Sequence, residues 1–379
     1  MQQHVVILGA GFGGLELAAR LSEELPDQVR VTLIDKSDAF VFGFAKLDVM
    51  FGHRTLDEVR LRYRDIAKPS VDFRQETIVS IDPEQRRVVT DGGTYDADIL
   101  VVALGADLDP AATPGLVEGG YEFYSPRGAS RLRDVLTAFT GGSVVIGVLG
   151  VHFKCPPAPY ETALLLHELL TERGRREGTT IHVVTPLPRP VPISDEVSSA
   201  ILAILAEHGI EHWPESLITN LDPTANVAHL RDGRSLPYDL FLGVPVHKAP
   251  DVVLNSPLAE DGWIAVDPRT FATRYPDVYA VGDVTSAPVP RAGVFAEGEA
   301  TTVADILIAR LSGGEPPGPY QGAAVCYLEV GDDRVGGVNV NFLGGPSPTA
   351  TFRPPSRELV AEKREFAASR ERRWFGHGP

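Results

Sequence analysis

The first 35 residues constrain the fold more than any other part of the chain. The apolar run Val5–Leu8 predicts a strand, and Leu15–Leu25 predicts a helix directly after a glycine-rich turn. The glycines of that turn are Gly9, Gly11, Gly13 and Gly14. The first, second and last of them fit the spacing G-x-G-x-x-G, which permits a tight turn, close approach of backbone to a pyrophosphate and close helix–strand packing. A second predicted strand ends on Asp35, where an acidic side chain would bind the adenosine ribose. The pattern predicts dinucleotide binding; the alternative is a tight turn without a ligand.

Two later segments indicate which dinucleotide. The predicted strand Ile99–Val102 runs into a turn that contains Ala103 and Gly105, and a later apolar strand ends on Gly282 and Asp283 before a second helix. Taken only as residues, the second segment is also compatible with an ordinary turn at a strand end. Both segments resemble the secondary FAD motifs of flavoproteins with two dinucleotide folds. The resemblance implies FAD as the cofactor, with Asp283 on its ribityl chain.

The middle of the chain predicts a second unit of the same kind. A strand over Ser143–Val148 and a helix over Thr162–Leu170 flank a turn at 149–157. This turn lacks the glycines that would let backbone approach a pyrophosphate, and it carries bulky side chains and prolines instead. We therefore expect the fold without a strong NAD(P) site.

The predicted fold class is α/β, with two Rossmann-like domains arranged as in glutathione reductase and a small C-terminal α+β segment. The predicted FAD-binding domain is discontinuous (1–110 and 266–330), the second domain spans 111–265, and the C-terminal segment spans 331–379. That segment contains a predicted strand, a Pro/Gly-rich connector over Gly344–Pro355 and a charged helix over Ser356–Arg373.

Charge and hydropathy narrow the location and the partners. The chain has no apolar run of membrane-spanning length and no signal peptide after Met1, which predicts a cytoplasmic location. A net charge of −16 disfavours nucleic acid as a partner. The stretch Arg353–Arg373 nevertheless holds seven lysines or arginines, so peripheral contact with the inner face of a membrane stays open. We favour packing of this helix on its own flavin domain or on a dimer partner, because its apolar stripe is thin. No metal site is predicted.

The chain has two cysteines, Cys155 and Cys326, and they do not form the close pairs typical of flavin disulfide reductases. Cys155 precedes a predicted helix, where backbone N–H groups and the helix dipole stabilise a thiolate, and Lys154 adds positive charge. We therefore expect Cys155 to be a nucleophile or half of a reactive disulfide. For Cys326 the residues alone leave a reactive thiol and a small buried hydrophobic residue equally open.

The segment Phe153–Glu161 resembles the sulfide-oxidising flavoproteins, which are the flavin subunits of flavocytochrome c sulfide dehydrogenases and the sulfide:quinone oxidoreductases. Cys326 with the tyrosine after it matches the second family cysteine, and Pro290–Gly293 is similar to a family segment near the flavin, which brings Arg291 and Gly293 to the cofactor. The likeness covers about residues 1–345. It implies FAD-dependent oxidation of sulfide, or of a related small sulfur species, through Cys155 and Cys326. Many quinone-linked members carry a third cysteine, so quinone and another carrier both stay open as electron acceptor.

The resemblance also implies roles for the pair. Hydrosulfide is expected to open a Cys155–Cys326 disulfide or polysulfide bridge, leaving a persulfide on Cys155, while the Cys326 thiolate passes electrons to the flavin. Glu161 is predicted to act as an acid/base or simply to favour the helix start. His152 is an equally open candidate base, for which a packing role is favoured. Two alternatives are an enzyme like the type II NADH dehydrogenases, which the turn at 149–157 argues against, and a flavin/cysteine redox sensor without multiple turnover.

Overall fold

The computed structural model describes residues 2–315 and 317–376. Met1, Pro316 and residues 377–379 lie outside the described residues, and with them the outer ends of the predicted ranges 1–110 and 331–379 and one position of 266–330.

The described residues form alternating helices and strands. The helices are α1 (Phe12–Glu24), α2 (Ala45–Phe51), α3 (Leu116–Gly119), α4 (Pro126–Ala138), α5 (Ala158–Glu172), α6 (Asp195–Glu207), α7 (Asp251–Leu254), α8 (Gly293–Ser312) and α9 (Arg357–Phe375). The strands up to the middle of the chain are β1 (Gln3–Leu8), β2 (Val29–Asp35), β3 (Ala39–Phe40), β4 (Leu61–Arg62), β5 (Val71–Gln75), β6 (Ile78–Asp82), β7 (Arg87–Thr90), β8 (Thr94–Asp96), β9 (Ile99–Val102), β10 (Asp107–Asp109), β11 (Tyr121–Glu122) and β12 (Gly142–Val148). The remaining strands are β13 (Thr179–Val184), β14 (Ile210–Trp213), β15 (Ile218–Asp222), β16 (Val227–Leu230), β17 (Ser235–Pro237), β18 (Leu240–Val244), β19 (Val246–Lys248), β20 (Ala259–Glu260), β21 (Trp263–Ile264), β22 (Val278–Ala280), β23 (Ala323–Gly331), β24 (Arg334–Asn341) and β25 (Thr349–Ser356).

The first sheet is parallel and has the strand order β22-β9-β1-β2-β5. Val5 lies opposite Val31 on one side and Ile99 on the other, and all of Val5–Leu8 is fully buried. Burial on both faces is what a parallel sheet covered by helices requires. β22 comes from far along the chain, so this sheet joins the start of the chain to residues near 280.

The second sheet repeats the arrangement in the middle of the chain. It has the order β11-β18-β12-β13-β14 and is parallel throughout, with α5 and α6 in its crossovers. The two parallel sheets confirm the predicted α/β class with two Rossmann-like units. The domain boundaries given in the sequence analysis remain our proposal.

The C-terminal sheet is an antiparallel meander of β23, β24 and β25, with Cys326 opposite Val338. The prediction of a connector over Gly344–Pro355 was wrong, because β25 occupies Thr349–Ser356. Its two prolines are tolerated because β25 is an edge strand, and the pairing shifts register where they occur.

Helix α9 packs on α1 of its own chain. Ser356 caps it by accepting a hydrogen bond from the backbone N–H of Leu359 (3.2 Å). At the other end Trp374 is buried, and its indole N–H donates to the Glu16 carboxylate (2.9 Å). Among residues 2–315 and 317–376, the structure contains no helix with the length and apolar content needed to cross a bilayer.

Candidate active site

A cleft opens where the carboxyl ends of β1, β9 and β22 meet the start of α8 and the turn before α5. It encloses a cavity of about 260 Å³. Nine of the site residues predicted from the sequence line this cavity, namely Gly11, Gly13, Ala103, Gly105, Cys155, Glu161, Gly282, Asp283 and Gly293. Their convergence from four separate segments is what the fold adds to the sequence motifs.

The glycine turn before α1 has the geometry of a pyrophosphate site. Gly9 has φ +98°, and a Cβ on it would collide with the carbonyl oxygen of Ala103. A Cβ on Gly14 would collide with the carbonyl oxygen of Gly9, whereas a Cβ on Gly11 would meet no atom within 4 Å. No side chain caps α1, so its first-turn N–H groups are free to bind an anion. These features fit the pyrophosphate of FAD.

Asp35 lies at the end of β2, beside the turn but outside the cavity lining. Its carboxylate accepts hydrogen bonds from the backbone N–H groups of Ala10 and Ser37, both at 2.8 Å. This holds the carboxylate next to the glycine turn, as a ribose-binding acid requires. Its contact with a ribose stays a prediction.

Asp283 enters the cleft from the turn after β22. Burial raises the pKa of its carboxyl, and Lys154, Arg291 and Lys46 counteract that rise. Arg291 itself lines a neighbouring cavity, where its guanidinium lies 3.7 Å from the ring centre of Trp263. The Arg291 Nε donates to the carbonyl oxygen of Asp283 (2.9 Å). Arg291 therefore holds the turn that carries Asp283 and does not itself line the cleft.

Cys155 lies in a strained turn three residues before α5. Its φ is +50°, and its N–H donates to the carbonyl oxygen of Arg291 (2.8 Å). The expectation of a thiolate stabilised by the helix start was wrong for the resting protein. Burial raises the pKa of the Cys155 thiol, and the nearby Glu161 and Cys326 raise it further, while Lys46 lowers it. Loss of solvation thus outweighs the helix dipole.

Cys326 lines a second cavity of about 290 Å³, which adjoins the cleft. The lining is dominated by apolar side chains such as Val191, Val338 and Phe342, and His152 and Arg291 add polar groups. Burial and the nearby Glu161 raise the pKa of the Cys326 thiol to about 12. Both cysteines are free thiols, and each is close enough to Glu161 to be affected by its charge. The pair therefore lies at the boundary of two cavities, Cys155 on the cleft and Cys326 on the apolar cavity.

Glu161 lies in the first turn of α5 and is 2% exposed. Its Oε1 accepts a hydrogen bond from the backbone N–H of Glu329 (3.1 Å). Burial raises the pKa of its carboxyl to about 7, although Lys363 counteracts the rise. A carboxyl that titrates near neutrality beside a thiol can hold or release a proton at working pH. His152 instead is exposed and lines the apolar cavity, and burial lowers its pKa.

Two lysines also line the cleft, of which the sequence had drawn attention only to Lys154, for its charge beside Cys155. Lys46 on α2 donates to the carbonyl oxygen of Tyr124, and burial lowers its pKa to about 8. Lys154 donates to the carbonyl oxygen of Ala106 (2.8 Å), and burial lowers its pKa too. The signal for Lys46 was a single lysine within an apolar stretch of sequence; only the fold brings it to Cys155 and Asp283.

Comparisons with known proteins agree with this geometry. The profile of the family described as pyridine nucleotide-disulphide oxidoreductase matches residues 3–304. The mitochondrial sulfide:quinone oxidoreductase of Mus musculus is 24% identical over 362 residues, which cover 92% of this chain and 80% of that protein. An NADH dehydrogenase-like protein of Mycobacterium tuberculosis is 29% identical over 303 residues, covering 75% of this chain and 73% of that protein. The X-ray structure of the sulfide:quinone oxidoreductase from Aquifex aeolicus superposes with a TM-score of 0.86 at 24% identity, covering 98% of this chain and 91% of that one. This last likeness shows the shared fold.

Proposed function

Because the chain belongs to the pyridine nucleotide-disulphide oxidoreductase family and is an FAD-dependent oxidoreductase, we propose that it oxidises sulfide through Cys155 and Cys326. The electrons leave to a quinone, the acceptor named for the relatives from Mus musculus and Aquifex aeolicus. FAD supplies a two-electron acceptor that can later pass the electrons on.

The observation that carries this proposal is the position of the two thiols. Cys155 lines the cleft that fits FAD, and Cys326 lines the adjoining apolar cavity. When a redox pair lies between a cofactor and a separate substrate cavity, the substrate can react at one sulfur while the other sulfur exchanges electrons with the cofactor. A pair of merely structural cysteines has no need of two cavities.

This position favours the reverse of the roles expected from the sequence. In the oxidised protein hydrosulfide enters the apolar cavity and attacks the Cys326 sulfur of a Cys155–Cys326 disulfide. The new S–S bond forms on Cys326 as the bond between the two cysteines breaks, so Cys326 carries the persulfide and Cys155 leaves as thiolate. Cys155, next to the cleft, is then the thiol that communicates with the cofactor.

The turn before α5 supports sulfide rather than NADH as the electron donor. Pro156, Pro157 and Pro159 have no N–H, and the N–H groups of Ala158, Tyr160 and Glu161 donate to backbone carbonyls of the same turn. The start of α5 therefore offers few free donors to a dinucleotide phosphate. In the same turn Phe153 is buried and Cys155 lines the cleft. These features disfavour an enzyme like the type II NADH dehydrogenases.

Location follows from the acceptor. Quinones are membrane lipids, so we propose a cytoplasmic protein that contacts the inner face of the membrane peripherally when it delivers electrons.

The test is an anaerobic titration of the FAD-loaded protein with sulfide, and of a separate sample with NADH, while the flavin absorbance is recorded. We expect bleaching by sulfide and none by NADH. Cys155→Ser and Cys326→Ser should each retain FAD and lose sulfide-driven bleaching. Bleaching by NADH alone would identify an NADH dehydrogenase instead, and bleaching that stops after one turnover with every quinone supplied would identify a redox sensor.

Mapping of the persulfide in the unaltered protein separates the roles of the thiols. Hydrosulfide attack on Cys326 predicts that brief sulfide treatment leaves an alkylatable persulfide on the Cys326 peptide in the mass spectrum. Finding the extra sulfur on the Cys155 peptide would restore the order expected from the sequence.

A further inference from the structure

A partly buried cluster of charged side chains surrounds Glu161 where α5, β23 and α9 meet. Lys363, which is 7% exposed, pairs with the Glu329 carboxylate and lies 3.9 Å from Oε1 of Glu161. The same Oε1 accepts the backbone N–H of Glu329 (3.1 Å). Asp48 on α2 lies close enough to Glu329 and Lys363 for its pKa to respond to both.

The cluster holds more carboxyl groups than cations. Burial lowers the pKa of Lys363, but Glu161 and Glu329 raise it above its usual value, so the lysine stays charged. Burial and Glu329 raise the pKa of Asp48, against Lys363, His53 and Arg54. The pKa values of Glu161 and Asp48 are therefore both raised, which lets either carboxyl hold a proton.

The cluster also connects two cavities. Glu161 lines the cleft beside Cys155, whereas Asp48, Glu329 and Lys363 line a groove of about 660 Å³ between α2, α5 and α9. Exposed charged residues such as Glu172 complete the groove wall, so it is accessible to water. The apolar cavity on the other side of the cysteines offers few groups that can carry a proton.

We propose that Glu329 and Lys363 are positioning residues that hold the Glu161 carboxyl at the wall of the cleft and connect it, past Asp48, to the outer groove. The S–H bond of Cys155 breaks, its proton moves to the Glu161 carboxylate, and the sulfur keeps the electron pair. The Glu161 proton then passes to the groove, so each transfer balances without an oxidant. The idea concerns the reduced protein, in which Cys155 is a free thiol, and it rests on the proposed function only in that the Cys155–Cys326 pair must cycle between thiol and disulfide.

Charged or titratable side chains face Glu161 from several neighbouring elements. Lys363 faces it from α9, Glu329 from β23 and Asp48 from α2. The thiols of Cys155 and Cys326 and the Tyr124 hydroxyl complete the set. Glu329 raises the pKa of Glu161 and Lys363 lowers it. Removing the Glu329 charge must therefore lower the titration midpoint of Glu161, and removing the Lys363 charge must raise it.

The experiment measures alkylation of Cys155 in the anaerobically reduced FAD-loaded protein. Iodoacetamide has no charge to titrate in this range, and peptide mass spectrometry reports Cys155 separately from Cys326. We expect the rate to rise through a midpoint near pH 7, where Glu161 ionises. Glu329→Gln should lower that midpoint by about one pH unit and Lys363→Met should raise it by about as much. Glu161→Gln should abolish it.

Controls separate this relay from a structural role. Glu172→Gln removes a carboxylate from the same groove outside the cluster and should leave the midpoint unchanged. Should Lys363→Met not fold, Lys363→Arg retains the charge and should keep the midpoint of the unaltered protein. Slower alkylation at every pH with an unmoved midpoint in Glu329→Gln would overturn the proposal, as would a midpoint that survives Glu161→Gln.

The readout uses no sulfide, so its failure and that of the proposed function are distinguishable. Opposite midpoint shifts without sulfide-driven bleaching would support the relay and overturn the sulfide activity. Bleaching without midpoint shifts would do the reverse.

Discussion

Two positions in the turn before α1 have backbone geometries that only glycine can adopt without a clash. Gly9 combines φ +98° with contact against the carbonyl of Ala103, and Gly14 approaches the carbonyl of Gly9. Any side chain at either position pushes the turn away from β9 or α1 away from β1. The geometry of the phosphate site thus depends on the absence of two Cβ atoms.

We expect Gly9→Ala to weaken FAD binding by at least about tenfold, because the shifted turn no longer aims its N–H groups at the pyrophosphate. The measurement is release of FAD during dialysis, followed by flavin fluorescence. Gly178→Ala is the matched control, since a Cβ there meets no atom within 4 Å. Equal FAD retention in both variants would contradict the role of Gly9.

The candidate site residues differ in how far the sequence alone predicts them. The spacing of residue types in the sequence singled out the glycines, Asp283 and the cysteine turn, and the fold brings them to one cleft. The high pKa of Cys155 was missed because it depends on burial against Glu161 and Cys326, which no local pattern records. Lys46 was missed for the same reason.

Among the elements, α9 ties the end of the chain to its beginning. Trp374 is 1% exposed and donates to Glu16, which is 2% exposed and also pairs with Arg373 at 3.2 Å. Two carboxylate interactions therefore satisfy a buried acid on α1. The helical period of α9 was visible in the sequence, and packing on its own flavin domain was one of the two arrangements favoured there, but the contact between Trp374 and Glu16 was not predicted.

Trp374→Phe should lower the free energy of unfolding by about 1–3 kcal/mol, because Glu16 loses a buried hydrogen-bond donor. Urea denaturation followed by circular dichroism measures the change. Arg372→Gln removes an ion pair with Glu365 nearer the surface of the same helix and should alter stability by less than about 1 kcal/mol. Similar losses in the two variants would show that the buried contact carries no special weight.

Strand β25 shows where element prediction failed. Its sequence has two prolines and reads as a connector, because prolines remove ladder donors from a central strand. Only the fold shows that it is an edge strand and that its two prolines lie at a register shift, where regular pairing with β24 is interrupted.

For the whole molecule, buried carboxyls make stability depend on pH. Burial raises the folded-state pKa of Glu161 to about 7 and that of Glu299 to about 8, both from 4.5. The folded protein then binds more protons than the unfolded chain, so the stability they contribute is complete below 4.5 and is lost as pH rises through 7 and 8. His247, whose pKa burial lowers to about 3 from 6.5, acts oppositely but only below pH 6.5.

The unfolding free energy of the FAD-loaded protein should therefore fall between pH 6.5 and pH 8. Glu299→Gln should reduce that fall by about 1–2 kcal/mol, because the neutral amide oxygen can still accept the N–H of Gly282. Denaturant titrations at several pH values test this. A fall of the same size in the variant would show that Glu299 does not titrate in this window.

The first sheet needs β22, and its cleft needs the start of α8, whereas the second sheet is complete at residue 244. During synthesis on a ribosome, the middle unit can therefore fold while the amino-terminal strands still wait for their last partner. The nascent chain must keep the apolar run Val5–Leu8 protected from aggregation until almost 300 residues have been translated. The cofactor cleft is therefore completed late in synthesis, when β22 and the start of α8 leave the exit tunnel. Only the C-terminal sheet and helix emerge after them.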